Sequence, residues 1–195
     1  MALDFTVRTI KMGNEKNSKY YDEFYQRENS SYNLPYSQSG YYNLWAELAN
    51  HIQETDSIVD LGCGVGQFAS LLHFLGLKKY IGLDFSEVAI GKAKSKNLDG
   101  YEFKISDITK DDFPKGDVYV LCEVLEHVQN DFIVLGKIPD SKKVLISLPT
   151  FDCESHVRYF PTQHDVIARY DDQLKDYSIK LLNGRHFCFV GYKMG

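Results

Sequence analysis

The pattern of hydrophobic and polar positions divides the chain near residue 40. Residues 1–39 are polar and rich in Tyr, Asn and Ser, and they show periodicity only for one helical turn around Tyr20–Tyr25. From Ser39 to Gln53, apolar residues recur at three- and four-residue spacing, which predicts an amphipathic helix. We therefore expect an irregular or partly helical N-terminal segment at 1–39 and a compact domain at 40–195. A long, irregular and aromatic segment is a candidate lid over a substrate.

Beyond residue 53, short apolar runs alternate with helical patterns. Helices are predicted at 67–75, from an N-cap at Ser86 to about residue 97, and in a short stretch between 129 and 138. The apolar runs have the length of buried strands. They lie at 57–61, 79–83, 101–105, 118–122 and 143–148. Strands that alternate with helices indicate a parallel sheet with helices on both faces.

The end of the chain departs from this alternation. Two strand-like runs, 178–182 and 186–192, flank Asn183-Gly184-Arg185, and Asn-Gly is a strong signal for a tight β-hairpin. The sheet should therefore finish with an antiparallel pair, whereas a doubly wound dinucleotide dehydrogenase closes with another parallel crossover. The predicted fold class is α/β, with a doubly wound, mostly parallel sheet and a terminal antiparallel hairpin.

Composition and charge narrow the class of protein. The chain has 195 residues, 44% of them apolar, which is enough for one domain with a single core. A formal net charge of -5 gives no overall attraction for nucleic acid, and the basic clusters are short and typical of solvated surfaces. We therefore expect no nucleic-acid partner. The sequence does not indicate an oligomeric state.

The cysteines and the hydropathy of the chain bear on its location. The four cysteines are widely spaced and form no C-x-x-C pair, and reduced, buried thiols suit a cytosolic protein. No apolar run approaches the length of a membrane span, and the first residues lack the apolar core of a signal peptide. We therefore expect a soluble, cytoplasmic protein without a membrane partner.

The most specific local feature is the glycine-rich stretch Asp60-Leu-Gly-Cys-Gly-Val-Gly66, which follows the first predicted strand. Its G-x-G-x-G register differs from the G-x-G-x-x-G of dinucleotide sites, because Gln67 takes the place of the last glycine. It is not a P-loop either, because no Gly-Lys-Ser/Thr follows. The glycines alone are compatible with a ligand that the backbone approaches closely or with a tight strand-to-helix turn.

Three acidic residues follow successive predicted strands. Asp60 ends the first, Asp84 ends the second and Asp107 lies just past the third. The carboxyl ends of strands in a doubly wound sheet line one crevice, so these carboxylates should converge where ligands bind. Three acids without a phosphate-binding Lys or Arg predict a ligand that lacks phosphate and carries ribose hydroxyls, an amine and a positive charge. Two of the acids have a structural alternative, since Asp107 could cap residues 109–111 and Asp84 could cap the helix at Ser86.

Four motifs, taken in order, resemble those of the class I S-adenosylmethionine-dependent methyltransferases. They are VDLGCGVG at 59–66, IGLDFS at 81–86, SDI at 106–108 and LCEVLEHV at 121–128, and the resemblance covers roughly residues 40–192. On these residues it implies a seven-stranded sheet of order 3-2-1-4-5-7-6, with S-adenosylmethionine as cofactor and S-adenosylhomocysteine as product. The terminal antiparallel pair of that family agrees with the hairpin predicted from turn chemistry.

The resemblance assigns cofactor binding to residues within or beside these motifs. They are Asp60, Gly62, Gly64, Gly66, Asp84, Phe85, Asp107, Ile108 and Cys122. In that family the glycine loop lies against the methionine and ribose portions of the cofactor, and the acid at the position of Asp84 accepts from both ribose hydroxyls. The acid at Asp107 accepts from the adenine amine, the amide of Ile108 meets the ring nitrogen, and Phe85 lies against the adenine face. Asp60 is expected to orient the loop and the methionine amine.

Candidate catalytic residues follow the fourth predicted strand. Glu123, Glu126 and His127 have the i, i+3 and i+4 spacing that would place them on one face of a helix starting at Glu123. His156 lies after the fifth strand, at the same edge of the sheet. We expect Glu123, His127 and His156 to be catalytic, with a general base needed where the acceptor carries a proton. The alternatives are a solvated Glu126 in the first helical turn and a His127 whose hydrogen bonds are satisfied beneath the helix.

Carboxylates and imidazoles at this edge could also hold a divalent metal. The E-x-x-E-H element at 123–127 resembles that of ubiquinone-pathway O-methyltransferases and of small-RNA 3′-terminal 2′-O-methyltransferases, in which it binds a metal. The element also occurs in many family members that use no metal, and the region after the fifth strand lacks the paired histidine spacing of the RNA enzymes. We therefore expect no metal ligands in this chain.

The acceptor is predicted to be a small organic molecule, such as a sugar, polyketide or quinone-like compound, methylated on oxygen or nitrogen. The acidic balance argues against a large RNA, and the tyrosines of the N-terminal segment could pack over a small substrate. His156, Arg158 and Tyr159 should line the acceptor site, with Arg158 available for a substrate carboxylate or phosphate. Two alternatives stay open: a non-catalytic S-adenosylmethionine-binding scaffold subunit and a metal-assisted RNA 2′-O-methyltransferase.

Overall fold

The computed structural model describes residues 13–28 and 30–195. The prediction about a signal peptide, and the first part of the predicted N-terminal segment, lie outside the described residues. Within these two ranges, no helix combines the length and the hydrophobicity that crossing a membrane requires.

The strands of the fold form one sheet. They are β1 (Ser57–Leu61), β2 (Lys79–Asp84), β3 (Tyr101–Ile105), β4 (Val118–Cys122), β5 (Lys143–Pro149), β6 (Leu174–Leu182) and β7 (His186–Lys193). Their order is β3-β2-β1-β4-β5-β7-β6. The first five strands pair in parallel, whereas β7 pairs antiparallel with both β5 and β6. The sheet confirms the predicted fold class, strand order and terminal hairpin.

The helices within the described residues follow most of the predicted positions. They are α1 (Ser18–Gln26), α2 (Tyr42–Ala49), α3 (Gln67–Phe74), α4 (Glu87–Ser95), α5 (Asp131–Gly136) and α6 (Gln163–Tyr170). Ser86 caps α4 as predicted, since its Oγ accepts a hydrogen bond from the amide of Ala89 at 3.0 Å. The helix α6 was not predicted from the sequence; it begins with a capping box between Thr162 and Asp165. Two short 3₁₀ helices, Ser31–Asn33 and Tyr36–Gln38, precede α2.

Hydrophobic side chains from successive strand residues pack on opposite faces of the sheet. Along β1, Val59 and Leu61 belong to the apolar cluster that includes α5 and α6, whereas Ile58 belongs to the cluster that includes α2, α3 and α4. Both faces are therefore buried, which explains why the parallel strands are continuous apolar runs. Among the large side chains in these clusters are Trp45 of α2 and Tyr170 of α6.

A buried ion-pair network joins the start of α5 to α6. The fully buried carboxylate of Asp131 accepts hydrogen bonds from Nε and Nη2 of Arg169 at 2.8 and 2.6 Å, and from the hydroxyl of Tyr170 at 2.7 Å. Nη1 of Arg158 lies 3.3 Å from the same carboxylate. The guanidinium of Arg158 also donates to the backbone carbonyls of Leu125, Val128 and Gln129. The prediction that Arg158 is available to a substrate anion is therefore wrong, because both terminal nitrogens of its guanidinium donate to backbone carbonyls inside the protein.

Candidate active site

The glycine-rich loop between β1 and α3 is built on left-handed backbone. Gly62, Gly64 and Gly66 have φ angles of 84°, 52° and 73°. A Cβ at Gly62 would lie 2.6 Å from a methyl carbon of Val124, so a side chain there would meet both steric overlap and backbone strain. The amide of Gly62 donates to the carbonyl of Leu83 in β2 at 2.7 Å. These contacts hold the loop against the carboxyl edge of the sheet.

Asp84 fastens the glycine loop to the start of α4. Its Oδ2 accepts from the amide of Gly64 and its Oδ1 from the amide of Ser86, each at 2.9 Å. Burial raises the pKa of Asp84 to about 6, although these two hydrogen bonds act to lower it. An ionised carboxylate has about four acceptor positions, so each oxygen keeps capacity for a ligand donor. Structural use of Asp84 and ligand binding by Asp84 are therefore compatible.

Asp60 is the second buried acid beside the loop. It accepts a hydrogen bond from the hydroxyl of Tyr80 at 2.5 Å, and burial raises its pKa to about 7. With Gly62, Gly64 and Cys122, Asp60 lines a small cavity of about 80 Å³. Its position next to the loop agrees with the sequence analysis, and its contact with a ligand amine stays a prediction.

A second cavity, of about 710 Å³, adjoins the first. This volume falls within the roughly 300–1,000 Å³ of small-molecule sites. Part of its wall comes from Asp84, Phe85, Ser106 and Ile108, which end β2 or directly follow β2 and β3. The two cavities share lining residues and form one cleft along the carboxyl edge of the sheet. The shared residues are Tyr25, Tyr32, Tyr41, Gly62 and Glu123.

Two of the predicted cofactor residues do not line the cleft. A Cβ at Gly66 would lie 3.1 Å from the Cβ of Ala93, so this glycine allows α4 to pack closely. The carboxylate of Asp107 accepts from the amide and Oγ1 of Thr109 at 3.0 and 2.6 Å and from Nζ of Lys110 at 2.6 Å. Partial burial acts to raise the pKa of Asp107, but these hydrogen bonds outweigh it and lower the pKa. Asp107 therefore caps residues 109–111, which is the structural alternative given above. The contact of Asp107 with an adenine amine stays a prediction.

The other predicted site residues lie along the cleft. The cofactor candidates among them are Asp60, Gly62, Gly64, Asp84, Phe85, Ile108 and Cys122. The catalytic candidates Glu123, His127 and His156 line the larger cavity together. Of the predicted acceptor wall, only His156 belongs to that lining among the described residues, since Arg158 and Tyr159 do not contribute to it.

Glu123 occupies a strained turn instead of the predicted helix. Residues 123–130 form no helix, and Glu123 has a φ of 57°. Its amide donates to Oγ of Ser147 at 2.8 Å, and that hydroxyl donates back to Oε1 of Glu123 at 2.7 Å. Nε2 of His186 lies 3.3 Å from Oε2. The helix starting at Glu123 is therefore a wrong prediction, and the strain is of the kind that clusters at functional sites.

Ser147 and His186 are neighbours of Glu123 that were not predicted from the sequence. Ser147 pairs with Cys122 across β4 and β5, and His186 opens β7 opposite Pro149. Neither residue belongs to a recognisable motif. The hairpin signal at Asn183-Gly184 could have found His186, because the residue after that turn enters the sheet at the carboxyl edge of β5.

Glu126 points into the protein. Its side chain is fully buried, and neither carboxylate oxygen has a hydrogen-bond partner among the described residues. Burial, reinforced by the charge of Glu123, raises the pKa of Glu126 well above its usual range. Nε2 of His127 lies 3.7 Å from Oε1. The alternative of a solvated Glu126 is therefore wrong.

His127 and His156 lie edge to face beside Glu126, with ring centroids 4.9 Å apart. Nδ1 of His127 is 2.9 Å from the carbonyl of Ser155, and Nδ1 of His156 is 3.2 Å from the carbonyl of Phe151. A carbonyl only accepts, so in the neutral rings each Nδ1 carries the proton and each Nε2 keeps its lone pair. Burial lowers the pKa of His127 to about 4 and also lowers the pKa of His156. Both rings are therefore neutral near pH 7.

The N-terminal segment forms another wall of the larger cavity. Its aromatic lining residues are Tyr20, Tyr21, Phe24, Tyr25 and Tyr32. α1 is anchored at the start of α4, where Oδ1 of Asp22 accepts from Oγ of Ser86 at 2.6 Å and from the amide of Val88 at 3.1 Å. Nζ of Lys92 donates to the carbonyl of Tyr25 at 2.6 Å. The segment thus covers part of the cleft, and its opening as a lid stays a prediction.

Comparison with protein families and curated proteins gives two matches. The family described as a methyltransferase domain matches residues 52–175. The ribosomal protein L11 methyltransferase of Staphylococcus epidermidis is 27% identical over 159 residues, which cover 75% of this chain and 46% of that protein. The chain therefore spans less than half the length of this curated relative.

Solved structures share the fold. The N-methyltransferase NodS from Bradyrhizobium japonicum WM9, in complex with S-adenosylhomocysteine, has a TM-score of 0.66 at 14% identity, over 91% of this chain and 99% of that one. The [4+2]-cyclase SpnF has a TM-score of 0.69 at 11% identity, over 94% and 100%. Since the family match covers more than half of the sequence, this chain belongs to the methyltransferase-domain family, with the fold of the class I S-adenosylmethionine-dependent methyltransferases.

Proposed function

We propose that this chain transfers the methyl group of S-adenosylmethionine to an oxygen or nitrogen atom of a small organic molecule. The observation that carries the proposal is the single cleft, in which the glycine loop and buried acids adjoin a cavity of about 710 Å³. Aromatic side chains and the candidate bases Glu123, His127 and His156 line that cavity. The family supports the type of reaction, and the cavity supports the class of acceptor.

The residues around the glycine loop fit the cofactor chemically. S-adenosylmethionine supplies a methyl group on a positively charged sulfur. Asp84 keeps acceptor positions on both oxygens and would hold the ribose hydroxyls, while Phe85 and Ile108 would contact the adenine. Asp60 and Asp84 place negative charge beside the loop in a buried setting, which favours a cationic ligand.

The groups at the junction of the two cavities suit methyl transfer. Transfer from a sulfonium is an in-line displacement, so positioning of the acceptor behind the methyl group supplies much of the rate. Glu123 lines both cavities, and its carboxylate accepts a hydrogen bond from Ser147 and lies 3.3 Å from Nε2 of His186. We assign Glu123 as the group that removes the acceptor proton, with the neutral imidazoles of His127 and His156 nearby.

The covering of the cleft favours a small acceptor. The ring of Tyr21 lies 5.4 Å from that of Phe85 and 6.0 Å from that of His127, so one side chain of α1 contacts both a cofactor candidate and a catalytic candidate of the larger cavity. Nζ of Lys16 pairs with Glu154 at 3.1 Å and ties the same segment to the loop after β5. A folded protein substrate, which the name of the staphylococcal relative indicates for that protein, would have to displace this segment.

Purified chain with S-adenosylmethionine is expected to form S-adenosylhomocysteine in the presence of at least one small acceptor. The panel would contain phenols, hydroxyquinones, sugars and amines, and product would be quantified chromatographically. Glu123→Gln is expected to lower kcat by about 10²–10⁴-fold, because it removes the general base, and to leave the affinity for S-adenosylhomocysteine unchanged. Glu102→Gln, at an exposed acid on β3, is the control and should keep the parent kcat.

Three other outcomes would count against the proposal. Turnover with ribosomal protein alone would assign a protein acceptor, and turnover with RNA alone would favour the RNA 2′-O-methyltransferase. Tight binding of S-adenosylhomocysteine without turnover on any acceptor would favour a scaffold subunit. The fold of the cyclase SpnF illustrates that this architecture also carries other chemistry.

The affinity for S-adenosylhomocysteine is expected to fall as the pH drops below about 6. Ribose hydroxyls donate to the ionised form of Asp84, whose pKa is about 6, so one protonation should raise Kd about tenfold between pH 7 and pH 5. Asp60, with a pKa of about 7, adds to the same trend. Titration calorimetry at each pH measures Kd.

The protonation of Asp84 at low pH, which should weaken ligand binding, has the opposite effect on the stability of the fold. Because the folded-state pKa of Asp84 is raised, its contribution to stability is fully present below the unfolded pKa and is lost as the pH rises through about 6. Weaker binding at pH 5 is therefore not expected to reflect unfolding caused by this group, which thermal unfolding at pH 5 would check. A Kd that is equal at pH 5 and pH 8 would contradict the assignment of Asp84 to the ribose.

A further inference from the structure

The wall of the larger cavity carries carboxylates together with one lysine and one arginine side chain. The carboxylates are those of Glu15, Asp84, Glu123 and Glu154. Each of them accepts a hydrogen bond from the described part of the chain. Nζ of Lys16 donates to Glu154 at 3.1 Å, but none of these hydrogen bonds comes from Arg27. Arg27 is therefore a lining cation that the acids of the same wall do not neutralise.

Arg27 directly follows α1, and its guanidinium packs on an aromatic ring. Its Cζ lies over the ring of Phe24, 4.9 Å from the ring centroid. Within residues 13–28 and 30–195, no carboxylate or carbonyl accepts a hydrogen bond from this side chain. The N–H donors of a guanidinium lie in its plane, so contact with a ring face leaves them available. The carbonyl of Arg27 accepts from Nδ2 of Asn33 at 3.0 Å, which fixes the backbone that carries this side chain.

Aromatic side chains of α1 line the cavity beside Arg27. The rings of Tyr20 and Phe24 are nearly parallel, with an angle of 12° between their planes and 6.5 Å between their centroids. Both side chains belong to the lining, as Arg27 does. This wall thus combines apolar ring surface with guanidinium donors, a combination that suits a ligand with an apolar body and an anionic group.

We propose that the methyl acceptor carries a carboxylate or a phosphate group and that Arg27 binds this group. The planar fork of an arginine matches both anions, because two parallel N–H donors can meet two oxygens. The inference rests on the proposed function, since it concerns the acceptor. It replaces Arg158, the residue that the sequence analysis assigned to a substrate anion, with Arg27 at the end of α1.

The positions of Arg27 and Glu123 give the acceptor a direction. Arg27 is exposed and lines only the larger cavity, whereas Glu123 is partly buried and lines both cavities. The anionic group would therefore lie toward the solvent, and the atom that receives the methyl group would lie deeper. Binding energy from a part of the substrate that does not react can fix the reacting atom in place. Arg27 is thus a specificity-determining residue, and Glu123 keeps its role as the base.

Acceptor binding can be measured separately from methyl transfer. Full chain saturated with S-adenosylhomocysteine has no methyl group to transfer, so titration calorimetry reports binding alone. The probes are two pairs: para-hydroxybenzoate with its uncharged amide, and phenyl phosphate with phenol. At least one anion is expected to bind at least about tenfold more tightly than its neutral counterpart, because a bidentate pair with arginine is charge-assisted. The pair with the larger ratio distinguishes a carboxylate from a phosphate. The ratio should fall as salt is added, since the charge of an exposed Arg27 is screened.

Variants at two arginines assign the preference to one side chain. Arg27→Gln should weaken binding of the preferred anion about tenfold and leave binding of its neutral counterpart within about twofold of the parent. Arg27→Lys keeps the charge without the planar fork, so its preference should be intermediate. Arg185→Gln is the matched control, because Arg185 also lies over a ring, 4.4 Å from the centroid of Phe151, but lines neither cavity. Arg185→Gln should bind every probe within about twofold of the parent.

The outcomes separate this inference from the proposed function. Equal affinity of the parent for anion and neutral compound in both pairs would overturn the role of Arg27, and so would an undiminished preference in Arg27→Gln. A comparable loss of S-adenosylhomocysteine affinity in Arg27→Gln would assign Arg27 to the carboxylate of the cofactor and would also overturn it. Methyl transfer to neutral acceptors alone would retain the proposed function and remove this inference. An anion preference that depends on Arg27, in a chain that methylates no acceptor, would retain the anion site and remove the function.

Discussion

Asp84→Ala is expected to weaken the binding of S-adenosylhomocysteine by at least about a hundredfold. The substitution removes the acceptors for the amides of Gly64 and Ser86 together with the oxygens proposed to hold the ribose hydroxyls. A hydrogen bond to a charged group contributes about 1.5–3 kcal/mol, and about 2.7 kcal/mol corresponds to a hundredfold change in affinity. The amide of Gly64 would also lose the hydrogen bond to Asp84 that fixes its orientation. Titration calorimetry at pH 8, where Asp84 is ionised, measures the difference.

Two further variants separate cofactor binding from loss of structure. Asp84→Asn keeps the size and one oxygen acceptor, so its affinity should lie between those of the parent and the alanine variant. Asp99→Ala removes an exposed acid after α4 and should bind as the parent does. Thermal unfolding of each variant shows whether the sheet is intact. If folded Asp84→Ala binds S-adenosylhomocysteine as tightly as the parent, the cofactor does not depend on this carboxylate.

The parallel part of the sheet could be predicted because its strands are buried on both faces. Val59 and Ile58 pack into different apolar clusters, so β1 is an uninterrupted apolar run that the sequence makes visible. The closing hairpin could be predicted as well. Asn183 and Gly184 have φ angles of 51° and 66°, and Asn-Gly is a residue pair that readily adopts such angles. In both cases local chemistry and tertiary structure require the same conformation.

The helix α6 could not be found from apolar periodicity because its apolar residues Val166, Ile167 and Ala168 are consecutive and do not mark one helical face. Of its residues, only Val166 and Tyr170 are buried, one helical turn apart. Its clearest signal is the capping box between Thr162 and Asp165. Tertiary packing of Tyr170 against the sheet and the ion pair of Asp131 stabilise a helix that its own sequence specifies weakly.

The two halves of the candidate site differ in how far sequence can specify them. Residues such as Asp84 and Ile108 sit at or next to strand ends, so topology alone brings them to one edge. The conformation of Glu123 depends instead on hydrogen bonds with Ser147, and His186 lies beside its carboxylate; strand register brings both residues there. Helical spacing at 123–127 carried no information about those partners, and for that reason it predicted the wrong local structure.

Asp131→Ala is expected to lower the free energy of unfolding by about 3–5 kcal/mol. Asp131 is fully buried and pairs with Arg169, Tyr170 and Arg158 at once. Its removal leaves the buried hydroxyl of Tyr170 and the guanidinium of Arg169 without their acceptor, and it leaves Arg158 without a counter-ion. Breaking a buried pair by removing one partner costs this much because the remaining charge is uncompensated. For a chain of this size, the melting temperature should fall by roughly 10 °C. Urea denaturation of the full chain measures the free-energy change.

A conservative and a surface variant test whether the loss comes from this network. Asp131→Asn keeps the shape and one acceptor oxygen, so it should destabilise less than alanine. Asp172→Ala, at an exposed acid after α6, should stay within about 0.5 kcal/mol of the parent, as surface substitutions usually do. The network also orients Arg158, whose guanidinium holds the carbonyls of Leu125 and Val128 on either side of Glu126 and His127. If Asp131→Ala unfolded at the same urea concentration as Asp172→Ala, the network would contribute no net stability, and the turn that carries Glu126 would be held by its own packing.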